Sequence, residues 1–288
     1  MTLIPENLAL HKPNKILLKE MNDFELEEKI LFQKETDFHS LSVVKNKIGK
    51  FIKYLDTYQA GIINSKDYKG NLPYINYFLI PYLMNKDIKN ILLIGFGSGK
   101  IVNQYEKIFE KLKSIDIVDI EEYIFPIAEK YFDFKLSEKY NFYLQDAIVF
   151  LKTTKKKYDL IVVDVAGNEG IDERFIQEDY LKLVKSKLTK KGIFISNLPS
   201  SRDILNKKNK LILELIKKYK EIYTFVILYN GKTSNKIFYK SFFNLDEDVL
   251  DITNLIIISS LFEHKISNNF EKLNTIGVDI KEYLKDLI

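Results

Sequence analysis

Apolar residues along this chain follow two rhythms, and the change from one to the other divides it. Between residues 15 and about 64 the apolar runs are short or alternate with polar positions. They are Lys15-Ile16-Leu17-Leu18, Lys29-Ile30-Leu31-Phe32, Ser40-Leu41-Ser42-Val43-Val44 and Lys50-Phe51-Ile52-Lys53-Tyr54-Leu55, parted by turns such as Asn46-Lys47-Ile48-Gly49. Such runs broken by polar turns predict consecutive antiparallel strands, so a small β-rich domain is expected over 1–70. Asn71 to Tyr82 predicts an apolar, aromatic helix opening near Pro73, a residue favoured in a first helical turn.

From residue 90 onward strands alternate with helices. Asn90-Ile91-Leu92-Leu93-Ile94 runs straight into Gly95, Gly97 and Gly99, after which Ile101, Val102, Tyr105, Ile108, Phe109 and Leu112 recur at helical spacing. A strand buried on both faces reads as a continuous apolar run, so this stretch is strand, glycine turn, helix. Three further apolar runs, Ile115 to Val118, Asn141 to Leu144 and Tyr158 to Val163, close on Asp119, Asp146 and Asp164. Glu178 to Leu188 predicts a helix stopped near Gly192, Ile193 to Ser196 a fifth strand, and Lys207 to Tyr219 another helix. Ile222 to Leu228 and Ile237 to Phe243 are expected to form an edge hairpin across Asn230-Gly231-Lys232-Thr233-Ser234-Asn235. The expectation is an α/β fold: an open sheet of about seven strands over 71–245 with a C-terminal antiparallel hairpin, then a helical tail over 246–288.

The strand ends carry the chemistry. Glycines permit positive φ and close approach of a ligand to the backbone, and the following helix N-terminus presents N–H groups. A carboxylate at the end of the next strand, about twenty residues on, grips the ribose hydroxyls in nucleotide-binding βαβ units, and Asp119 stands there. Ligands of open α/β sheets bind outside the carboxyl ends of the strands, the edge from which Gly95, Asp119, Asp146 and Asp164 all project. A tight turn in an ordinary βα unit would account for the glycines alone, but not for the set.

Composition narrows the classes. Apolar residues are 46% and charged residues 29%, with 44 basic against 40 acidic side chains, a net charge of +4. The lysine runs Lys155-Lys156-Lys157, Lys190-Lys191 and Lys207-Lys208 fall at loops and helix ends, which favours a solvated surface over a nucleic-acid partner. With no cysteine there is no disulfide, thiolate nucleophile or cysteine metal site, and the scattered His11, His39 and His264 suggest no zinc cluster. Met1 to Lys15 lacks the apolar core of a signal peptide, and the apolar stretch Leu255 to Phe262 is too short to span a bilayer. A cytoplasmic protein, with no membrane and no metal, is expected.

At this point the chain resembles the spermidine synthase family of aminopropyltransferases, over roughly residues 30 to 245 and in the same order throughout. Glu35-Thr36-Asp37-Phe38-His39-Ser40-Leu41 is similar to the family's N-terminal ET-x-(Y/F) strand. Leu55-Asp56-Thr57-Tyr58-Gln59 resembles its LDG-x-x-Q hairpin, one residue shorter, and Pro73-Tyr74-Ile75-Asn76 falls at its Y-H-E helix start. Gly95 to Lys100 stands for GGGDGG, Val118-Asp119-Ile120-Glu121 for V-(D/E)-I-D, and Asp146-Ala147 for D-(G/A). Tyr158 to Asp164 is similar to YDVIIVD, and Phe175 to Tyr180 to LF-x-x-x-FY.

The resemblance implies a Rossmann-like AdoMet-transferase fold and transfer of an aminopropyl group from decarboxylated S-adenosylmethionine to a small-molecule amine. It further implies that Gln59, Gly95, Gly97, Ser98, Gly99, Asp119, Ile120, Asp146 and Ala147 line the nucleoside site. Asp164 would be the base, with Tyr74 and Tyr229 beside the acceptor amine, and the protein a homodimer or homotetramer. Read as residues alone, Gln59 fits a surface hairpin, Tyr74 a core position and Tyr229 a cap on the sheet edge equally well. Asp164, a carboxylate closing a run of buried residues, has the stronger claim.

Two departures leave three readings open. Ser98 stands where GGGDGG has the aspartate that carries the donor's ammonium, and Gly167, in Val165 to Gly170, stands where the family has a second acceptor-binding aspartate. An unpaired buried cation costs several kcal/mol, so the change matters. The chain is an aminopropyltransferase with an altered acceptor, or a methyl- or aminocarboxypropyl-transferase using intact S-adenosylmethionine, or a nucleoside-binding protein without catalysis.

Overall fold

The computed structural model describes residues 27–38, 40–55, 57–66, 68–165, 172–201, 210–243 and 252–287. The expected strand Lys15–Leu18, the start of the helix expected from Lys207, and the loop around Gly167 lie outside them.

Five antiparallel strands form the N-terminal sheet in chain order: β1 (Lys29–Glu35), β2 (Ser40–Lys45), β3 (Gly49–Tyr54), β4 (Thr57–Asn64) and β5 (Lys69–Asn71). Ile52 pairs with Ala60 while Lys53 pairs with Tyr58, so Gln59 is the extra residue of a β-bulge. The predicted helix at Pro73 is present but begins as a tight 3-10 turn over Pro73–Leu79 before continuing as α1 (Ile80–Met84). Buried almost throughout, this element links the small sheet to the large one.

The large sheet contains β6 (Asn90–Ile94), β7 (Ser114–Asp119), β8 (Tyr140–Leu144), β9 (Tyr158–Val163), β10 (Leu188–Ser201), β11 (Phe225–Tyr229) and β12 (Ile252–Ser260). Their spatial order is β11-β12-β10-β9-β6-β7-β8, and β12 alone runs antiparallel to its neighbours β10 and β11. Alternate residues of the central strands serve opposite faces. Ile91, Leu93, Ile115 and Ile117 pack on one side with α2 (Lys100–Ile108) and α3 (Ile124–Phe132). Leu92, Ile94, Val118 and Ile161 pack on the other with α4 (Ala147–Thr153), α5 (Glu178–Lys187) and α6 (Lys210–Ile222). Burial on both faces explains why these strands read as unbroken apolar runs.

The C-terminal part corrects the sequence reading. Ile237 to Phe243 is not a strand but the second half of a helix, α7 (Lys232–Phe243). Its Asn230-Gly231 start, which has the composition of a hairpin turn, opens that helix, with Asn230 Oδ1 accepting from the Lys232 N–H at 3.1 Å. The antiparallel strand comes instead from the expected helical tail: β12 inserts between β10 and β11. Leu255, Ile256, Ile257 and Ile258 are each fully buried, and a strand apolar on both faces has no period-two signature to separate it from a buried helix. Among the described residues of the 246–288 segment, helix is confined to two short turns, α8 (Glu271–Thr275) and α9 (Ile280–Leu284).

Candidate active site

Strand order reverses at β6, with β7 on one side and β9 on the other, so a crevice opens at their carboxyl ends. The glycine turn lies there. Gly95 donates its N–H to Val118 O at 2.9 Å and takes φ +88°, and a Cβ on it would stand 2.1 Å from the Asp164 carbonyl oxygen. The ends of β6 and β9 therefore meet too closely for any side chain. Gly97, φ +54°, faces Ala60 of β4, so the turn is roofed by the N-terminal sheet. Gly99, φ +70°, is the N-cap of α2, and a Cβ there would lie 2.7 Å from both Phe96 and Phe134. Phe96 turns away among Phe125, Phe134 and Phe142, with ring centroids 4.9–6.0 Å apart, and anchors the turn from behind. Ser98 is 2% exposed, and its hydroxyl has no hydrogen-bond partner among the described residues.

Asp119 closes β7 beside this turn. Its Oδ2 accepts from the Phe96 N–H at 2.7 Å and its Oδ1 from the Glu121 N–H at 2.9 Å. Burial pushes its carboxyl above the ordinary range, opposed by backbone N–H groups of Glu121, Phe96 and Ile120. Ile120 is partly buried between the two acids. Glu121 is buried and accepts from the Thr36 hydroxyl at 2.7 Å, tying the N-terminal sheet to this strand end.

Asp146 is the N-cap of α4: its Oδ1 accepts from the Ile148 and Val149 N–H groups at 2.9 and 3.0 Å. Ala147 is the first residue of that helix, where N–H groups have no intrahelical acceptor. The second Asp146 oxygen accepts from Arg174 Nη1 at 2.9 Å, and Arg174 also grips Asp172 through Nε and Nη2. Sequence reasoning missed Arg174; the available signal was rarity, since it is one of two arginines in a lysine-rich chain.

Asp164 follows β9 at the same edge, 90 residues from Tyr74 in sequence and in contact with it. The Tyr74 hydroxyl donates to Asp164 Oδ2 at 3.0 Å and lies 3.3 Å from the carbonyl oxygen of Gln59, at the β-bulge. The other carboxylate oxygen accepts from Asn197 Nδ2 at 2.9 Å. Burial raises the Asp164 carboxyl to about 6, with the Asn197 and Tyr74 donors holding it from going higher. The Tyr74 hydroxyl is driven up by burial and by Asp164. Asn197 is 5% exposed, and its Oδ1 has no partner among the described residues. It too was missed, because the strand expected over Ile193 to Ser196 stops one residue before it, whereas β10 continues to Ser201.

Tyr229 stands apart from these bonds. Its side chain is fully buried against Tyr77, at a ring separation of 5.9 Å, and its hydroxyl has no polar partner among the described residues. The structure joins Tyr74, Gln59 and Asp164, and it leaves Tyr229 fully buried, in the strand row it shares with Ile256 and Asn197 and without a described contact to Asp164. A residue ending the edge strand β11 is covered here because the 3-10 element and the C-terminal turn both pack onto it.

An open mixed sheet with one antiparallel strand beside its edge, capped by a small antiparallel sheet, defines a Rossmann-like transferase fold, the fold of spermidine synthases and methyltransferases. Residues 78–229 match the spermine/spermidine synthase domain. The chain belongs to that family, and it is an enzyme of the polyamine aminopropyltransferase type. It is 27% identical over 200 residues to the polyamine aminopropyltransferase of Buchnera aphidicola, covering 66% of this chain and 68% of that one. Two solved structures share the fold. A probable spermidine synthase from Corynebacterium glutamicum superposes with a TM-score of 0.63 at 13% identity, covering 86% of each chain. A spermidine synthase in complex with the transition-state analogue AdoDATO gives 0.62 at 12% identity, covering 89% of this chain and 88% of that one.

Proposed function

We propose that this enzyme moves the aminopropyl group of decarboxylated S-adenosylmethionine to a small-molecule amine, with Asp164 receiving the proton. The observation that carries this reading is the Asp164 carboxylate, held between Tyr74 and Asn197 at the glycine-turn edge with its carboxyl raised to about 6. In the reaction the amine nitrogen bonds to the carbon beside the sulfonium, the C–S bond breaks, and methylthioadenosine leaves. Alkylammonium groups hold their proton up to about pH 10, and the sulfonium is already a good leaving group. The protein's task is thus to align the nitrogen and take its proton. A base whose pKa lies just below working pH is ionised and still accepts a proton readily. Asn197 Oδ1, a buried acceptor without a partner among the described residues, would be satisfied by the second N–H of an amine bound at Asp164. Asp119 would hold the ribose, and Asp146 with the Ala147 N–H the adenine edge.

A second reading rests on Ser98. A neutral, buried hydroxyl without a described partner at the place of the family's aspartate tolerates the carboxylate of intact S-adenosylmethionine, which an acid would repel. Transfer would then be of a methyl or aminocarboxypropyl group. Calorimetric titration with both forms of the donor, followed by product analysis with a panel of mono- and diamines, decides between them. Preference for the decarboxylated form with release of methylthioadenosine supports the first reading. Preference for the intact form supports the second. Binding of neither form would leave only a protein without this catalysis.

A further inference from the structure

Tyr74 lies on the 3-10 turn Pro73–Leu79, and the next residues of that turn are held by the far end of the chain. Asn76 Nδ2 donates to the Tyr283 hydroxyl at 2.8 Å, and the Tyr77 hydroxyl donates to Asp286. The rings of Tyr77 and Tyr283 meet edge to face at 4.9 Å. Asp286, 7% exposed, also accepts from the Thr233 N–H at 2.6 Å and the Thr233 hydroxyl at 3.1 Å, at the start of α7. Its backbone oxygen accepts from the Asn230 N–H at 3.1 Å, and Leu287 bridges to Tyr229. A carboxylate this buried is tolerated because several donors converge on it. The 3-10 turn that presents Tyr74 to Asp164 is thereby held by the C-terminal segment, with the Tyr105 hydroxyl bonded to Phe78 O at 3.0 Å as a further brace.

We propose that Tyr283 and Asp286 form a clamp that positions Tyr74 against Asp164, acting through Asn76 and Tyr77 on a catalytic hydrogen bond that neither clamp residue touches. The inference rests on Asp164 being the base only for its effect on turnover; the clamp itself concerns the Tyr74–Asp164 contact. A 3-10 turn has poorer hydrogen-bond geometry than an α-helix, so side-chain anchors decide its orientation. Tyr77 follows Tyr74 by three residues, one turn of such a helix, so its hydroxyl bond sets the rotation of the element that presents Tyr74. Among the described residues, the titratable groups facing Asp164 are Tyr74 from this element and Tyr105 from α2.

The test is direct titration of the Asp164 carboxyl by carbon-13 NMR in the full-length enzyme and in Tyr74→Phe, Tyr77→Phe and the double variant. Removing the Tyr74 donor should move the Asp164 midpoint up by about 0.5–1 pH unit. Tyr77→Phe, which deletes one hydroxyl and nothing from the crevice, should move it the same way by a smaller amount. In the double variant the Tyr77 change should add nothing to the Tyr74 change. A Tyr77→Phe midpoint equal to that of the parent, or a shift that adds in full, overturns the clamp. Asp286→Asn should behave as Tyr77→Phe does; if it fails to fold, the tyrosine variant still decides. The acid limb of kcat/KM, measured on the same proteins, should follow the NMR midpoints. A limb that ignores them refutes Asp164 as base and leaves the clamp standing.

Discussion

Replacing Asp164 by asparagine should cost the enzyme its activity and make it more stable, and the pH dependence of that trade separates its causes. In the folded chain the carboxyl holds its proton to about pH 6, against an ordinary value of 3.8. Between those values the folded state binds more protons than the unfolded one, so stability falls as pH rises. Below the lower value both states are protonated and the penalty is absent; above about pH 6 it is fully felt. A difference of about two pH units at about 1.4 kcal/mol each amounts to about 3 kcal/mol. The substituted amide cannot ionise and escapes this penalty. It must, however, meet the Tyr74 hydroxyl and the Asn197 side chain, a mismatch of about 1 kcal/mol at any pH. Rotation of Asn197, whose Oδ1 has no other described partner, would limit the loss. Asp164→Asn should therefore be about 0.5 kcal/mol less stable than the parent at pH 4 and about 2 kcal/mol more stable at pH 8. Urea unfolding of both proteins at pH 4, 6 and 8 measures this, and turnover should fall by about 10²–10⁴. Parallel stability curves would show that the carboxyl is not desolvated, and full turnover that it is not the base.

The nucleoside site and its neighbours give further expectations. Asp119→Ala removes charge-assisted acceptors worth about 1.5–3 kcal/mol each and should weaken methylthioadenosine binding at least about tenfold; binding equal to the parent's refutes the strand-edge site. Asp146→Ala should weaken that binding less, while lowering the unfolding free energy by about 0.5–2 kcal/mol, because it also strips the N-cap of α4. Gly95→Ala puts a Cβ against the Asp164 carbonyl at φ +88° and should lose about 2 kcal/mol or more in thermal or urea unfolding; near-parental stability would mean the β6 and β9 ends do not meet so closely. Asn197→Ala deletes a donor to the ionised carboxylate, so the acid limb of kcat/KM should move up by about 0.5–1 pH unit, and an unmoved limb would count against the Asn197–Asp164 bond.

Local chemistry was legible wherever one stretch of chain decides its own conformation. The run Asn90 to Ile94 with its three glycines could only be a buried strand entering a tight turn, because positive φ and a 2.1 Å approach admit no side chain at Gly95. Asp119, Asp146 and Asp164 were placed at the strand ends for the same reason: each closes a β run or opens the helix after it. What failed depended on surroundings that no local stretch of chain specifies. Ile252 to Ser260 and Ile237 to Phe243 are both apolar stretches without period, and only the gap between β10 and β11 made the first a strand. Tyr229 ends a strand as a site residue would, yet the C-terminal turn and Tyr77 close over it.

The sequence alone thus determined the alternation of strand and helix and which acids lie at the carboxyl edge, since these follow from propensity, glycine geometry and periodicity, while its ordered motifs carried the resemblance to the family. The tertiary structure decided which distant groups meet: Tyr74 and Asn197 on Asp164, Thr36 on Glu121, Arg174 on Asp146, and Asp286 behind Tyr77. Those contacts join residues dozens to hundreds of positions apart. No local pattern encodes them, because they exist only once the order of strands in the sheet has brought their ends together.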